Sequence, residues 1–319
     1  MAQSNSESRL GTLRRKLMRR SLVLLKQATK TNHNRIMACG VLALLVFLPT
    51  WVFSIGYSII KGHSTPLLNF GFLYLGLDSF WTQRQRLQAN PASDEEQILG
   101  YVLILGSAAC YPFCFGSISL QALICIVVLL GIAIANWGVA IVQKQPLAIL
   151  LILTSVYPGL GFLGNTVRQT LTGDQLECLM AWLGGLSLSA IGQPVTVDGA
   201  ILSLSTTLDP KKAVEVASGC SGFDMAFPIA GFALIMGLFF KQSWQKIVAL
   251  MAIGIALALA FNVPRIVLLA FSVVYWGKGA FEFWHGPIGG QIFATIMLTA
   301  YYYIAMAMID SSSKEGKRG

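Results

Sequence analysis

Long blocks of apolar residues run through this sequence, and they decide its fold class before any motif is read. Residues 36–60, 117–142, 145–164, 222–240, 246–263 and 286–309 are each long enough, or nearly so, to cross a hydrocarbon layer of ~30 Å at ~1.5 Å per residue. Two weaker segments follow: 65–82, which carries Asn69 and Asp78, and 97–116, which Pro112 interrupts. Spans tolerate such residues where neighbouring protein satisfies the polar groups. The expectation is an all-α polytopic integral membrane protein of about eight transmembrane helices. With 55% hydrophobic and 12% charged residues, the chain lies far from a soluble domain, where about a quarter of residues are charged.

The net charge of +9 raises nucleic acid as a partner, but the distribution argues against it. Arg9, Arg14, Arg15, Lys16, Arg19, Arg20, Lys26, Lys30 and Arg35 precede the first span, and Lys314, Lys317 and Arg318 follow the last. Basic residues flanking spans mark the cytoplasmic side, so both termini are expected in the cytoplasm of a cell whose inner (plasma) membrane holds the protein. That requires an even number of spans. Eight places the connections with Arg84 and Arg86, with Lys144, and with Lys241 and Lys246 on that same side. The first apolar run exceeds the ~7–15 residues of a signal-peptide core and lacks a small-x-small cleavage site, so it reads as a retained helix.

Five regions follow. Residues 1–35 form a basic tail, which Leu13, Leu17, Leu24 and Leu25 could lay against anionic lipid headgroups, and which reads equally well as a topogenic tail. Residues 36–164 hold the N-terminal helices, 165–219 an extracytoplasmic segment, 220–310 the C-terminal helices, and 311–319 a second cytoplasmic tail. Within 165–219, residues 166–191 read as one interfacial helix, with Arg168, Asp174 and Glu177 early and Trp182 later. After it, Val195-Thr196-Val197 and 200–204 flank Asp198-Gly199, a short-range signal for a tight hairpin turn.

Polar groups at membrane depth are costly and therefore functional candidates. Cys220 starts the sixth expected span, Arg265 ends the seventh just past Asn262 and Pro264, and His285 opens the eighth. All three fall at the outer face. A thiol at a helix N-terminus, after Gly219 and before Ser221-Gly222, is placed where the dipole favours the thiolate. An imidazole can take the thiol proton and return it to a leaving amine. Arg265 stays cationic, and could stabilise an oxyanion or hold the thiolate.

Each residue alone also has a plainer reading. A membrane cysteine usually packs, as Cys39, Cys110, Cys114, Cys125 and Cys178 are expected to; an arginine at a span end often snorkels; and His285 follows Trp284 in an interfacial belt. Their shared level favours chemistry. Asp224, one turn into the sixth span, is expected to orient His285, pair with Arg265, or make a structural hydrogen bond. His63, in a short outer loop, is solvated or borders a substrate entrance. Cys110 and Cys114, four apart with no histidine nearby in sequence, match neither a redox nor a zinc pattern; no metal and no cofactor are expected.

The stretches Val216-Ala217-Ser218-Gly219-Cys220-Ser221-Gly222-Phe223, Asn262-Val263-Pro264-Arg265-Ile266 and His285-Gly286-Pro287-Ile288-Gly289 resemble, in order, the cysteine, arginine and histidine motifs of the exosortase/archaeosortase family, in general style its cyanobacterial members. The resemblance covers about residues 190–300. It implies a transpeptidase acting on exported proteins whose C-termini carry a short motif, a transmembrane helix and a basic cluster, with Cys220 as nucleophile, His285 as acid/base and Arg265 as transition-state stabiliser. Ser221, Asn262, Asp224 and His63 would support substrate binding. Two departures stand out: Phe223-Asp224 replaces the aliphatic residue and basic or amide residue of many relatives, and the family's early polar motif is reduced around His63. The competing readings are a transporter, which usually shows repeated halves and a midplane site, and a non-catalytic subunit of an exopolysaccharide or protein export system.

Overall fold

In the computed structural model, residues 30–61, 64–88, 91–205 and 212–315 are described. The chain is built of helices α1 (Asn32–Ile60), α2 (Thr65–Gln88), α3 (Asp94–Cys110), α4 (Ile118–Trp137), α5 (Ala140–Lys144), α6 (Pro146–Val156), α7 (Leu160–Thr172), α8 (Gln175–Ala190), α9 (Phe223–Phe239), α10 (Trp244–Phe271), α11 (Lys278–His285) and α12 (Pro287–Glu315). Strands β1 (Thr196–Asp198), β2 (Ile201–Ser203) and β3 (Ala213–Glu215) form one antiparallel sheet in that order.

Among the described residues, five helical stretches are long and apolar enough to cross a membrane: Asn32–Ile60, Asp94–Cys114, Ile118–Trp137, Trp244–Trp276 and Pro287–Asp310. A sixth exists if α6 and α7 count together, but they bend by 107°. The single span expected over 145–164 is thus broken, because Tyr157-Pro158-Gly159 interrupts the helix: a proline supplies no N–H and disfavours helix at the residue before it. The remaining two of the eight expected segments also differ from plain spans. α9 has 17 residues, about 25 Å of helix, and α2 is 24 residues long but carries Asn69 and Asp78.

The chain divides into two compact units, Met1–Phe53 with Gly76–Tyr157, and Ser54–Leu75 with Pro158–Gly319. In the first, Ser93 caps α3 in a capping box with Glu96, behind an acidic first turn of Asp94, Glu95 and Glu96 that complements the helix dipole. Glu96 Oε1 also accepts from the Val139 N–H at 2.8 Å, tying the start of α3 to the end of α4. The two helices approach through small residues: a Cβ on Gly100 would lie 2.6 Å from that of Ala135, the close backbone packing that small residues permit between membrane helices.

The second unit carries two apolar clusters. Ile229, Ala233, Leu250, Ala258, Met297 and Tyr301 join α9, α10 and α12. Met180, Leu188, Leu202, Val214, Val216, Cys220 and Ile266 join α8, the sheet and the far end of α10. The expected hairpin is present, with Asp198 paired to Ile201. Its turn residues are Gly199 and Ala200, and the positive φ of 57° falls on the first alone, as a type II′ turn requires. The single helix expected over 166–191 is two, α7 and α8, because Gly173 (φ 52°) ends α7 in a conformation that other residues rarely adopt. Arg168 and Glu177, read as interfacial charges, form a buried ion pair across that break.

A cysteine turn clamped to a buried arginine helix: the candidate active site

The strand β3 leads directly into the candidate site. Val216 N–H donates to Ala200 O at 2.8 Å, prolonging the sheet, and the chain then folds into a 3₁₀ turn over Ser218–Cys220. Cys220 N–H donates to Ala217 O at 2.8 Å, and the Ser221 hydroxyl to Ser218 O at 2.8 Å. Gly222, at φ 81°, reverses the chain into α9. A side chain there would also crowd Asn262, since its Cβ would lie 3.0 Å from that of Asn262.

From Trp244, where α10 begins, Asn262 and Arg265 stand 18 and 21 residues along the helix, about 27 and 32 Å at ~1.5 Å per residue. That is about one hydrocarbon thickness. Being three apart they share a helix face, and both are buried. Asn262 Nδ2 donates to the Cys220 carbonyl at 2.7 Å. The assignment of its amide is chemically forced, because a carbonyl only accepts and the atom facing it has to be the NH2. Asn262 Oδ1 and Arg265 Nε are buried and have no hydrogen-bond partner among the described residues. Leaving such a group unsatisfied costs about 1–3 kcal/mol.

Cys220 is 4% exposed. Burial pushes its thiol up, the Arg265 charge pulls it down, and the Asp224 carboxylate pushes it up again, leaving it raised. Position ahead of a helix led to the expectation of a favoured thiolate. Desolvation is the larger effect, because a sulfur anion loses more solvation in an apolar cluster than one guanidinium restores. Asp224 is exposed, and its Oδ2 lies 3.5 Å from where a Gly219 Cβ would stand.

The structure therefore brings Cys220, Ser221, Asn262 and Arg265 together, with Asp224 beside them. It holds His285 differently. The imidazole is exposed and stacks on Phe281 at 5.2 Å between centroids, with no hydrogen bond among the described residues. Its surroundings nevertheless reach the site: Phe281 and Trp284 pack on the cluster containing Cys220, and Arg265 Nη2 comes within 3.8 Å of the Cβ position of Gly290. His63 lies outside the described residues. All six cysteines are free.

The sequence model of the transmembrane exosortases matches residues 61–302. The chain belongs to the transmembrane exosortase family. No curated protein and no solved structure matches it. Exosortases are membrane transpeptidases or proteases, and this multi-pass membrane protein is of that class. The matched region contains the whole Cys220 turn, all of α10 and α11, and most of α12.

Sequence reasoning missed two features of this exosortase site. The clamp of Asn262 on the Cys220 backbone joins residues 42 apart, and nothing in either motif announces it. The burial of the thiol was equally hidden, although Val214 and Val216, alternating ahead of the turn, are the signal that a strand covers it.

Proposed function

We propose that this exosortase is a cysteine transpeptidase that cleaves C-terminal sorting signals of exported proteins, with its site on the extracytoplasmic side and both termini cytoplasmic. The observation that carries the reading is the placement of the Cys220 thiol within the field of Arg265, a buried cation whose Nε has no partner among the described residues. In the reaction, His285 takes the Cys220 proton as sulfur attacks the scissile carbonyl. Arg265 receives the charge that develops on the carbonyl oxygen. Collapse breaks the C–N bond, and the leaving amine takes the proton from His285. The thioester then passes to an acceptor nucleophile, or to water, and Cys220 is restored.

The orphan atoms on α10 support a peptide as substrate. Arg265 Nε–H is a donor and Asn262 Oδ1 an acceptor, and an extended peptide backbone offers both complements, whereas a lipid phosphate supplies acceptors only. The reading asks α11 to carry His285 from Phe281 towards the sulfur on substrate binding; catalytic hydrogen bonds are often long or absent until the substrate is in place.

The test is processing of a reporter ending in a short motif, an apolar helix and an arginine cluster, taken from an exported protein of the same cell. Cys220→Ala is expected to leave it uncut while the protein accumulates normally in the membrane. Normal processing by that variant would end the catalytic assignment and favour a non-catalytic export subunit.

A further inference from the structure

Asn262 sits where a small error would move the nucleophile. It is fully buried, its Nδ2 holds the carbonyl of Cys220 at 2.7 Å, and Gly222 lacks the side chain that would push it away. The turn that carries the thiol has internal hydrogen bonds to Ala217 and Ser218, and these fix its shape but not its position on α10. Among the described residues, the only side-chain hydrogen bond from α10 to that turn comes from Asn262. Arg265 lies on the same helix face one turn on, so the clamp sets the distance between sulfur and guanidinium. Oδ1 of the same amide has no partner among the described residues, and a buried polar atom left so calls for a role beyond packing.

We propose that Asn262 is a positioning residue of this exosortase, holding the Cys220 turn on α10 so that the thiol stays sheltered and within reach of Arg265. The inference rests on the proposed role of Cys220, but it can be tested without a substrate. The full-length protein in vesicles is prepared with Cys39, Cys110, Cys114 and Cys178 replaced by serine. Cys220 and Cys125 then remain, the latter buried at 1% exposure in α4 as a reporter of unfolding. Iodoacetamide labelling of each thiol is followed against pH, with mass spectrometry locating the adduct.

Asn262→Leu keeps the volume and removes the donor. It should speed Cys220 labelling at neutral pH at least tenfold, and move the labelling midpoint down towards that of an ordinary cysteine, because a released turn lets water reach the sulfur. Arg265→Gln should do the opposite, slowing labelling and moving the midpoint up, since the thiol stays buried without its cation. Cys125 should stay unlabelled in both. Labelling of Cys220 in Asn262→Leu at the parental rate and midpoint would overturn the proposal. Should Cys125 label in that variant, Asn262→Ala is read in its place by the same criteria, and equal labelling of both thiols there also overturns it, since Asn262 would then hold up the fold rather than the thiol. If instead the labelling signature appears but Cys220→Ala still processes the reporter, the clamp stands and the transpeptidase reading falls.

Discussion

Two buried arginines in the same unit are treated in opposite ways. Arg168, 5% exposed, donates from Nε to Asn165 Oδ1 at 3.2 Å and from Nη1 to the Gly173 carbonyl at 3.0 Å, and pairs with Glu177. Arg265, 7% exposed, has neither an ion-pair partner nor a hydrogen-bond partner for its Nε among the described residues. A guanidinium at that depth is expensive unless it is paired. Where the chain needs only to hold α7 to α8, it supplies the partners. Where the Arg265 charge bears on the Cys220 thiol, its Nε has no partner among the described residues, which is what the proposed oxyanion role requires.

The sharpest way to break this comparison is to remove the charge at each place and see which property falls. Arg265→Gln is expected to lower reporter processing by about 10²–10³-fold, the usual loss when one oxyanion donor is removed, with membrane abundance and thermal melting close to the parent. An abundance loss in step with activity would make Arg265 a second structural arginine.

The contrast also explains what could be seen in the sequence and what could not. Arg265 stands there as a lone cation in an apolar stretch, and Arg168 as one of three charges, with Asp174 and Glu177, early in an interfacial helix. Arg265 was singled out because Cys220 and His285 share its level, and the family resemblance strengthened that. The fate of Arg168 depends on the Gly173 break, which brings Glu177 onto it; Thr172-Gly173-Asp174 carries a turn signal that a single helix over 166–191 leaves unused. Long apolar periods gave α1, α4, α10 and α12 nearly by inspection. The break at Tyr157-Pro158-Gly159 carried its own proline signal. The stacking of His285 on Phe281 follows from their spacing of four along α11, whereas the exposure of the imidazole away from Cys220 is set by how α11 lies between Gly277 and Gly286, which no residue pattern encodes.

Arg168→Ala should act on stability instead. It leaves Glu177 buried without its cation, a loss of about 3–5 kcal/mol for a broken buried pair, read as a lower melting temperature and reduced abundance. Replacing both partners, Arg168→Met with Glu177→Leu, should recover most of that loss. A single variant as damaging as the double would mean that packing, rather than charge, joins α7 and α8.

A smaller effect is expected in the first unit, at the capped start of α3. Glu96 accepts from Ser93 N–H at 2.9 Å and from Val139 N–H at 2.8 Å. Gly138, at φ 71°, lies so close that a Cβ would come 2.5 Å from Glu96 Oε2. Gly138→Ala should cost about 1–3 kcal/mol from backbone strain alone, visible in melting and not in processing per folded molecule. A change in specific activity would show that the α3–α4 junction reaches the chemistry.

The smallest effect sharpens the comparison from the thiol's side. Because burial outweighs Arg265, the Cys220 thiol is raised in the folded protein, so folding favours the neutral form. The sign follows from linkage: stability from this group is fully present below the unfolded thiol pKa and is lost as pH rises through the folded one. In the alkaline range, melting should therefore fall faster with pH in the parent than in Cys220→Ala, while the two curves run parallel at neutral pH and below. Arg265→Gln should steepen the alkaline fall, since the anion then forms without a cation near it. Were Arg265 as fully engaged as Arg168, its removal would leave the slope where it was, and the open hydrogen-bonding capacity of α10 would no longer distinguish the site.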